Sequence, residues 1–580
     1  MNRKIVLKDA FKTEDFELGK TIAPERTVGI FREKLARLKL DILEEAVRID
    51  NGRLDIPVYF SLCGRDAESA IGAKKQMGKG ASPSQAEASA VMELAERYSL
   101  FTFASEQSNF LSFPHKELNE KAIGLDQIQV SVHDDSSDVA SALDLFSITP
   151  VKWTLGADLT TGDEVLVPFD WFFALNEYNG SAAGNCIEEA VLQGLCEVVE
   201  RHVSSVVSRS KMPVPIIDKA SVTDTLAKEL LDKFENAGIR VFLFDMSIDT
   251  GIATVGVVAY DPASFPRRSE IVWTAGTSPD PQKAVVRALT EAAQLGGDFN
   301  SGSGYVASGL PKPGSLEDVE FLTGGTKIVS IRSLPDLSDS NIRIEIEKCV
   351  EKLEESGLNV LVIDVTNPDL RIPGVYVIVP GAHFRERTSG TSVGMLTAKM
   401  IAGGDGAEVG LPLLREMDRR LPGKYYTRFF MGLTYLSIDD PEEALLHLRA
   451  AAGLDPPEQE LPTIFSYTGV CLKELERYRE AIEVLKKAEQ LDQERTDIYN
   501  LMGFCHFKLK EHEKAIECFQ KVLELNPGSG IDYANIASNY RDMGKVDEAV
   551  QYYRLALELD PELDFARENL ARLESIENNG

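Results

Sequence analysis

The 580-residue chain has no apolar run of about 18 residues, which excludes a helix that spans a membrane. Its first residues, MNRKIVLKDAFKTEDFELGK, are basic but have neither the apolar stretch nor the small-residue cleavage site of a secretory signal. Seven cysteines are scattered, with no CxxC pair and no Cys/His pairing at zinc spacing. Neither a disulfide framework nor a structural zinc is expected, and a reducing cytoplasm suits such usage. Basic residues are scarce: 62 Lys and Arg stand against 92 Asp and Glu, a formal charge of -30 with no lysine/arginine cluster. Nucleic acid and membrane are therefore excluded as partners. Two nucleotide fingerprints are also missing. No Rossmann glycine pattern occurs, and near GKG the Gly72 to Gly78 spacing is one residue too long for a Walker loop, with Gly80 where a hydroxyl residue should follow Lys79.

What is present describes a globular protein. With 43% apolar and 27% charged residues and a mean hydropathy of -0.14, the composition is that of folded soluble domains. The length suits about three to five domains, each able to bury a full core.

The C-terminal part repeats every 34 residues: Gly469, Gly503 and Ala537 keep this period, as do Ala481, Ala515 and Ala549, then Ala488, Val522 and Ala556. Pro527 and Pro561 punctuate the units, and Ala444 with Pro456 marks an earlier, less regular one. Each unit reads as two amphipathic helices, such as TDIYNLMGFCHFKLK and EHEKAIECFQKVLELNP. Small residues allow the paired helices to approach, and this period is that of a tetratricopeptide-repeat (TPR) array, which stacks into an all-α superhelix with a concave binding surface. About four units are expected over 424–562, with a capping helix and tail over 563–580. Residues 1–405 differ. Short β-branched runs (IPVYFSL, VKWTLGADL, VLVPF, IRVFLFDM, IATVGVVAY, EIVWTAG, NVLVIDV, VYVIVP) alternate with helical patterns, predicting an α+β domain. The irregular, glycine-rich AGGDGAEVGLP predicts a linker over 406–423.

Chemistry concentrates on three helical segments. At about 100° per residue, Ser89, Glu93, Glu96 and Arg97 share roughly a 100° arc, with Val91, Leu94, Ala95 and Tyr98 opposite. A charged helix face is commonly only a solvated surface, and Glu93 with Arg97 forms an ordinary i,i+4 pair. The pattern recurs, however. Glu189, Glu197, Glu200 and Arg201 share a second face, and Arg287, Glu291 and Gln294 a third. Small residues accompany each, as in AEASA, SAAGN and EAAQLGG. If the three faces converge, six carboxylates share one cleft, which charge repulsion forbids unless cations compensate. Hard oxygen ligands favour magnesium or calcium, and arginines between them suit phosphate. A metal–nucleotide site is the expectation. Lys79, between two glycines, is read either as a turn residue or as a ligand. Cys186 and Cys196 read as small buried residues, and His202 as structural.

The segments SxxxExxER (Ser89–Arg97), the stretch Gly184–Arg201, RxxxExxQ (Arg287–Gln294), GKTIAPERT and VIDVTNPDLRIPGVYVIVPG together resemble the YcaO family over about residues 15–400. The resemblance implies an α+β ATP-binding domain that uses ATP and Mg2+ without a Walker loop. It places Glu93, Glu96, Glu189, Glu197, Glu200 and Glu291 as metal ligands or close to them, and Lys20, Thr27, Ser89, Arg97, Asn185, Arg201, Arg287 and Gln294 against the nucleotide. It singles out no catalytic residue. The implied reaction is ATP-dependent phosphorylation of a peptide or protein backbone amide, leading to an azoline, thioamide or amidine. The proline-rich tail of azoline-forming members does not appear, since the chain ends LESIENNG after the repeats. That combination resembles the stand-alone bacterial type, accessory to methylthiolation of a small-subunit ribosomal protein. The alternative is a nucleotide-sensing adaptor whose TPR array recruits a partner modification enzyme. A cytoplasmic homodimer, with self-association through the repeats, completes the expectations.

Overall fold

The computed structural model describes residues 5–13, 19–118, 121–299, 313–384, 391–404 and 406–577. The chain divides into two compact units, Met1–Val139 with Phe146–Val393, and Ala140–Leu145 with Gly394–Gly580.

The first unit is α+β, as its alternating runs predict. Its strands are β1 (Leu43–Arg48), β2 (Val58–Cys63), β3 (Lys75–Lys79), β4 (Leu111–Pro114), β5 (Pro150–Asp158), β6 (Glu164–Pro168), β7 (Ser181–Ala183), β8 (Ile216–Ile217), β9 (Arg240–Asp245), β10 (Thr254–Tyr260), β11 (Val272–Thr277), β12 (Ile328–Val329), β13 (Leu361–Asp364) and β14 (Gly374–Ile378). They form three separate sheets, ordered β1-β2-β3, β11-β10-β9-β8-β12 and β4-β5-β13-β14-β7, with β6 paired to β5. Each sheet has its own core. Val91, Leu94 and Ala95 of the helix Pro83–Ser105 join Phe31 and Leu35 against the first sheet. Val285, Leu289 and Ala292 of the helix Pro281–Gly296 cover the second. Val191, Leu195 and Val198 of the helix Ile187–Ser210, with Ile346 and Leu353, cover the third. A fully buried Val or Leu contributes about 1.5–3 kcal/mol, so these apolar faces fix the opposite, polar faces of the same helices.

In each case a strand at one end of its sheet leads into the helix: β3 into Pro83–Ser105, β7 into Ile187–Ser210, β11 into Pro281–Gly296. Glycines make the close crossing possible. A methyl on Gly78 would collide with Ala90 and Ala86 of the following helix, and one on Gly276 with Ala288 and Ala284. Gly80 and Gly184 stand equally tight against Ala86 and Ala190.

The second unit is helical. Paired helices Tyr425–Ser437 and Pro441–Ala452, Leu461–Glu474 and Tyr478–Leu491, Thr496–Lys508 and His512–Leu525, and Gly530–Asp542 and Val546–Leu559 precede Asp564–Glu577. The small residue of each first helix faces a large one of the second: an added methyl would meet Leu448 at Gly432, Leu485 at Gly469 and Phe519 at Gly503. The expected linker over 406–423 is corrected, because Ala407–Arg420 is a helix that contains Pro412 and buries Gly410, Leu414 and Met417. The glycine run breaks the chain only up to Gly406, whose φ is 89°, and an amphipathic period resumes beyond it. The division of the units correspondingly falls near 393 rather than 405. The last three residues of the expected tail, 578–580, lie outside the described residues. No helix among the described residues is long and apolar enough to cross a membrane. All seven cysteines are free.

Candidate ATP and magnesium site

A cavity of about 820 Å³ opens in the first unit. Every residue assigned above to the metal or the nucleotide lines it: Lys20, Thr27, Ser89, Glu93, Glu96, Arg97, Asn185, Glu189, Glu197, Glu200, Arg201, Arg287, Glu291 and Gln294. The three helices contribute equivalent positions. Gln85, Glu189 and Lys283 each occupy the third residue of their helix. One turn on come Ser89, Gln193 and Arg287; then Glu93, Glu197 and Glu291; then Glu96, Glu200 and Gln294, all of them facing the same space. Three strand–helix units thus present one pattern of polar side chains to a common centre.

The helix starts are held by the same chemistry. Ser82 caps the first by accepting from the Gln85 N–H at 3.3 Å, while Gln85 Oε1 accepts from the Ala81 N–H at 2.9 Å. At the equivalent place Glu189 Oε2 accepts from the Asn185 N–H at 3.0 Å and from its side-chain amide at 2.9 Å. Glu189 Oε1 meanwhile accepts from the Thr21 N–H at 2.5 Å and its hydroxyl at 2.7 Å, and Thr27 donates to Asn185 Oδ1 at 3.0 Å. The N-terminal segment is thereby tied to the second helix. Asp280 caps the third, accepting from the Gln282 N–H at 2.9 Å. Such caps are worth about 1 kcal/mol each.

Within the cavity every arm balances its charge. Arg97 pairs with Glu96 at 2.8 Å and Glu93 at 3.5 Å, with its guanidinium 4.0 Å over the Tyr178 ring. Arg201 pairs with Glu197 at 3.6 Å, and Lys79 with Glu291. Arg287 donates to Gln193 at 2.9 Å. Lys12 and Glu345, buried at one side, pair at 2.5 Å. Among the described residues no group of three His, Cys, Asp or Glu side chains is drawn together as a ready metal cage. Glu93, Glu96, Glu197 and Glu291 are instead each paired with a cation.

The electrostatics report this crowding. Burial raises Glu96 to about 8, opposed by Arg97 and reinforced by Glu197 and Glu93. Burial likewise raises Glu93 and pushes Lys79 down to about 8, with Glu200 opposing and Arg287 and Arg201 assisting. Glu189 goes the other way: burial lifts it, but Lys20 and the hydrogen bonds from Thr21 and Asn185 outweigh that and hold it below its ordinary value. A divalent cation fits this donor set, since hard carboxylate oxygens held near like charges favour it. An anion fits as well. Arg287 Nε is buried without a hydrogen-bond partner, and Lys20, Lys79 and Lys283 border the same space. The chemistry points to a class of site that takes a polyanion together with a hard divalent ion.

A family model described as YcaO cyclodehydratase, ATP- and Mg2+-binding, matches residues 77–383, more than half of the chain. The chain belongs to the YcaO family. TPR models match 469–495, 496–529 and 533–563. An uncharacterized protein of Methanothermobacter thermautotrophicus is 32% identical over 380 residues, 62% of this chain and 94% of that one. The ribosomal protein S12 methylthiotransferase accessory factor YcaO of Escherichia coli is 28% identical over 49% of this chain and 50% of its own length. A solved structure of YcaO from Methanopyrus kandleri bound with AMPPCP and Mg2+ superposes with a TM-score of 0.51 at 26% identity, covering 66% of this chain and 97% of that one.

Sequence reasoning left out several residues that the cavity uses. Gln85, Gln193 and Lys283 occupy helix positions equivalent to assigned ones, and their place in the cavity lining exposes them. Lys79 proves to be the partner of Glu291 rather than a turn residue alone. Cys196 is buried and pushed up to about 12 by that burial, and Cys186 to about 11. His202 accepts from the His383 N–H at 2.9 Å and stacks with the His383 ring 5.5 Å away, and the His133 ring stacks on that of His383 at 3.8 Å. None of the three histidines lines the cavity.

Proposed function

We propose that the first unit binds ATP with Mg2+ in this cavity and uses it to phosphorylate a backbone amide of a peptide or protein. The carrying observation is the convergence of three helices whose equivalent positions supply carboxylates and guanidinium groups to one space. Glu93, Glu96, Glu189, Glu197, Glu200 and Glu291 would hold the metal. Lys20, Thr27, Ser89, Arg97, Asn185, Arg201, Arg287 and Gln294 would hold the nucleotide. Bound together, ATP and Mg2+ supply an electrophilic phosphoryl group for the amide oxygen. The chain's own part is to orient that oxygen and to set fixed positive charge where negative charge develops, the larger share of catalysis in phosphoryl transfer. Arg97, Arg201 and Arg287, planar and already braced by Glu96, Glu197 and Gln193, are pre-organised for this.

The similarity to the Escherichia coli accessory factor, at half of its length, supports a role beside ribosomal-protein methylthiolation in the cytoplasm. The repeat helices expose Tyr467 and Phe504, which favours a second reading, an adaptor that senses nucleotide and recruits an enzyme or a second copy. Calorimetry with ATP and Mg2+ decides the first point: binding in the micromolar range, lost at least tenfold in Glu200→Ala/Arg201→Ala, is expected. Unaltered binding in that variant sinks the assignment. Phosphate release dependent on a defined peptide would reject the adaptor reading. Light scattering of the chain with and without residues 394–580 tests self-association.

A further inference from the structure

The three strand–helix units close on one another unequally. Glu96 of the first helix accepts from the Ser181 hydroxyl of β7 at 2.6 Å. Its equivalent in the second helix, Glu200, accepts from the Thr277 N–H of β11 at 3.1 Å. The third equivalent, Gln294, is the one that should close on β3, but no hydrogen bond joins it to that strand among the described residues. This position thus latches the ring at two junctions, while at the third the Lys79–Glu291 ion pair joins the end of β3 to the helix and leaves the rest of the strand unlatched.

The backbone of β3 shows what this leaves free. β3 ends its sheet, in antiparallel register with β2, Phe60 opposite Met77 and Ser61 opposite Gln76. The Cys63 N–H donates to the Lys74 carbonyl at 2.9 Å and the Gly80 N–H to the Pro57 carbonyl at 3.4 Å. In an antiparallel ladder the bonded pairs alternate, so Gln76 and Gly78 complete the ladder while Lys75, Met77 and Lys79 turn their N–H and C=O groups outward. Among the described residues nothing accepts from or donates to those outward groups. The Val58 carbonyl, opposite Lys79, correspondingly takes the Ile49 N–H at 2.8 Å on the far side of β2. An unpaired edge of this kind is a template for a further strand. This edge borders the cavity and runs inward, from exposed Lys75 past half-buried Met77 to Lys79 beside Glu291.

We infer that the β3 edge binds the substrate as an added strand: an extended peptide pairs its backbone with Lys75, Met77 and Lys79, and so delivers an amide to the far end of the edge. This rests on the function proposed above and names how its peptide is recognised. Side chains set the preference. Lys75 rests 4.1 Å over the Phe60 ring and has no carboxylate partner among the described residues of a chain of charge -30, so an acidic residue of the incoming strand suits it. Met77 stands opposite Phe60 at the next position, and both line the cavity with Ile71, so an apolar residue two places along fits. Main-chain pairing supplies affinity and these alternate pockets supply selectivity, as in other strand additions.

Proline can stand on an edge strand where its missing N–H faces outward. Met77→Pro therefore removes one docking group without breaking the β2 ladder, and Met77→Leu keeps it. The probes are acetyl-Glu-Thr-Val-Thr-Gly-amide, its reverse sequence, and both N-methylated at valine, titrated calorimetrically into the full chain alongside ATP and Mg2+. The expected result is saturable binding of at least one unmethylated peptide, weakened tenfold or more by N-methylation and by Met77→Pro, and kept by Met77→Leu. Lys75→Glu, on an exposed residue, should weaken the acidic peptide and favour one carrying lysine in its place. Absence of saturable binding to the unaltered chain, or binding indifferent to both Met77→Pro and Lys75→Glu, overturns the inference. So does loss of ATP binding in Met77→Pro with peptide binding intact, which would seat the nucleotide base on the edge. If ATP fails to bind but the peptide does so as described, the edge stands and the ATP assignment falls.

Discussion

Placing a methyl group on Gly276 tests whether the cavity depends on how closely the third helix crosses β11. The added carbon would stand 2.6 Å from the Ala284 carbonyl oxygen and 2.9 Å from Arg287 Cβ, whereas ordinary contact begins at 3.4 Å. The obstacle is helix backbone, which cannot rotate aside, so Pro281–Gly296 must retreat by about 1 Å in an interior packed as densely as a crystal. Overpacking of this kind costs about 3 kcal/mol, which lowers the melting temperature of a domain this large by about 5 °C. The retreat also carries Arg287 and Glu291 beyond the roughly 0.5 Å tolerance of a functional constellation, so ATP affinity in the presence of Mg2+ should drop at least tenfold, about 1.4 kcal/mol. Differential scanning calorimetry and titration calorimetry on Gly276→Ala read the two effects. Gly29→Ala is the control: it lies within the helix Pro24–Leu38 with nothing within 4 Å of the added methyl, and should stabilise by about 0.5–1 kcal/mol. A Gly276→Ala protein that melts within 1 °C of the unaltered chain and keeps its ATP affinity would refute the packing argument.

Two pH effects follow from the buried groups. Glu96, held at about 8, is protonated to about nine-tenths at pH 7; Mg2+ must displace that proton, so affinity should climb up to tenfold per pH unit towards 8, then level. Calorimetry in buffers of different ionisation heat should show close to one proton released at pH 7, and none in Glu96→Gln. His202 and His383 are both lowered to about 4, by burial first and then by His133. Because these folded values lie below the ordinary 6.5, their contribution to stability is complete above pH 6.5 and is lost as pH falls towards 4, on the order of 1 kcal/mol per pH unit for each ring. Melting curves at pH 7 and 5 check this, and a His383→Phe protein should lose part of the slope.

The sequence by itself determined two architectures and much of the lining of one candidate site. A 34-residue period cannot be kept over several positions by chance, because each small residue must meet a large one in the adjoining helix, as Gly469 meets Leu485 and Gly503 meets Phe519. The i, i+4, i+7 spacing of Ser89, Glu93 and Glu96, and of Arg287, Glu291 and Gln294, was legible for a similar reason: a helix converts spacing directly into a shared face. The strands β5, β9, β10, β13 and β14 lie in runs with enough β-branched and aromatic residues to declare themselves. β3 and β7 do not, since KQMGK and SAA have no alternating pattern, and their pairing depends on β2 and β14, distant or neighbouring in sequence, which no local signal encodes. The helix Ala407–Arg420 was hidden in the same way by the glycines before it and by Pro412.

Tertiary structure alone decided that the three faces meet, that Glu93, Glu96 and Glu197 are held by arginines and Glu189 and Glu200 by N–H donors, and that Lys79 reaches Glu291. It also decided that Glu96 and Glu200 latch their neighbouring strands while Lys79 with Glu291 makes the only such tie to β3 among the described residues. The physical reason is common to all of these. Helical periodicity is local and can be read along the chain, whereas the pairing of sheet edges and the balance of buried charge are set by groups that the fold brings together from far apart in sequence.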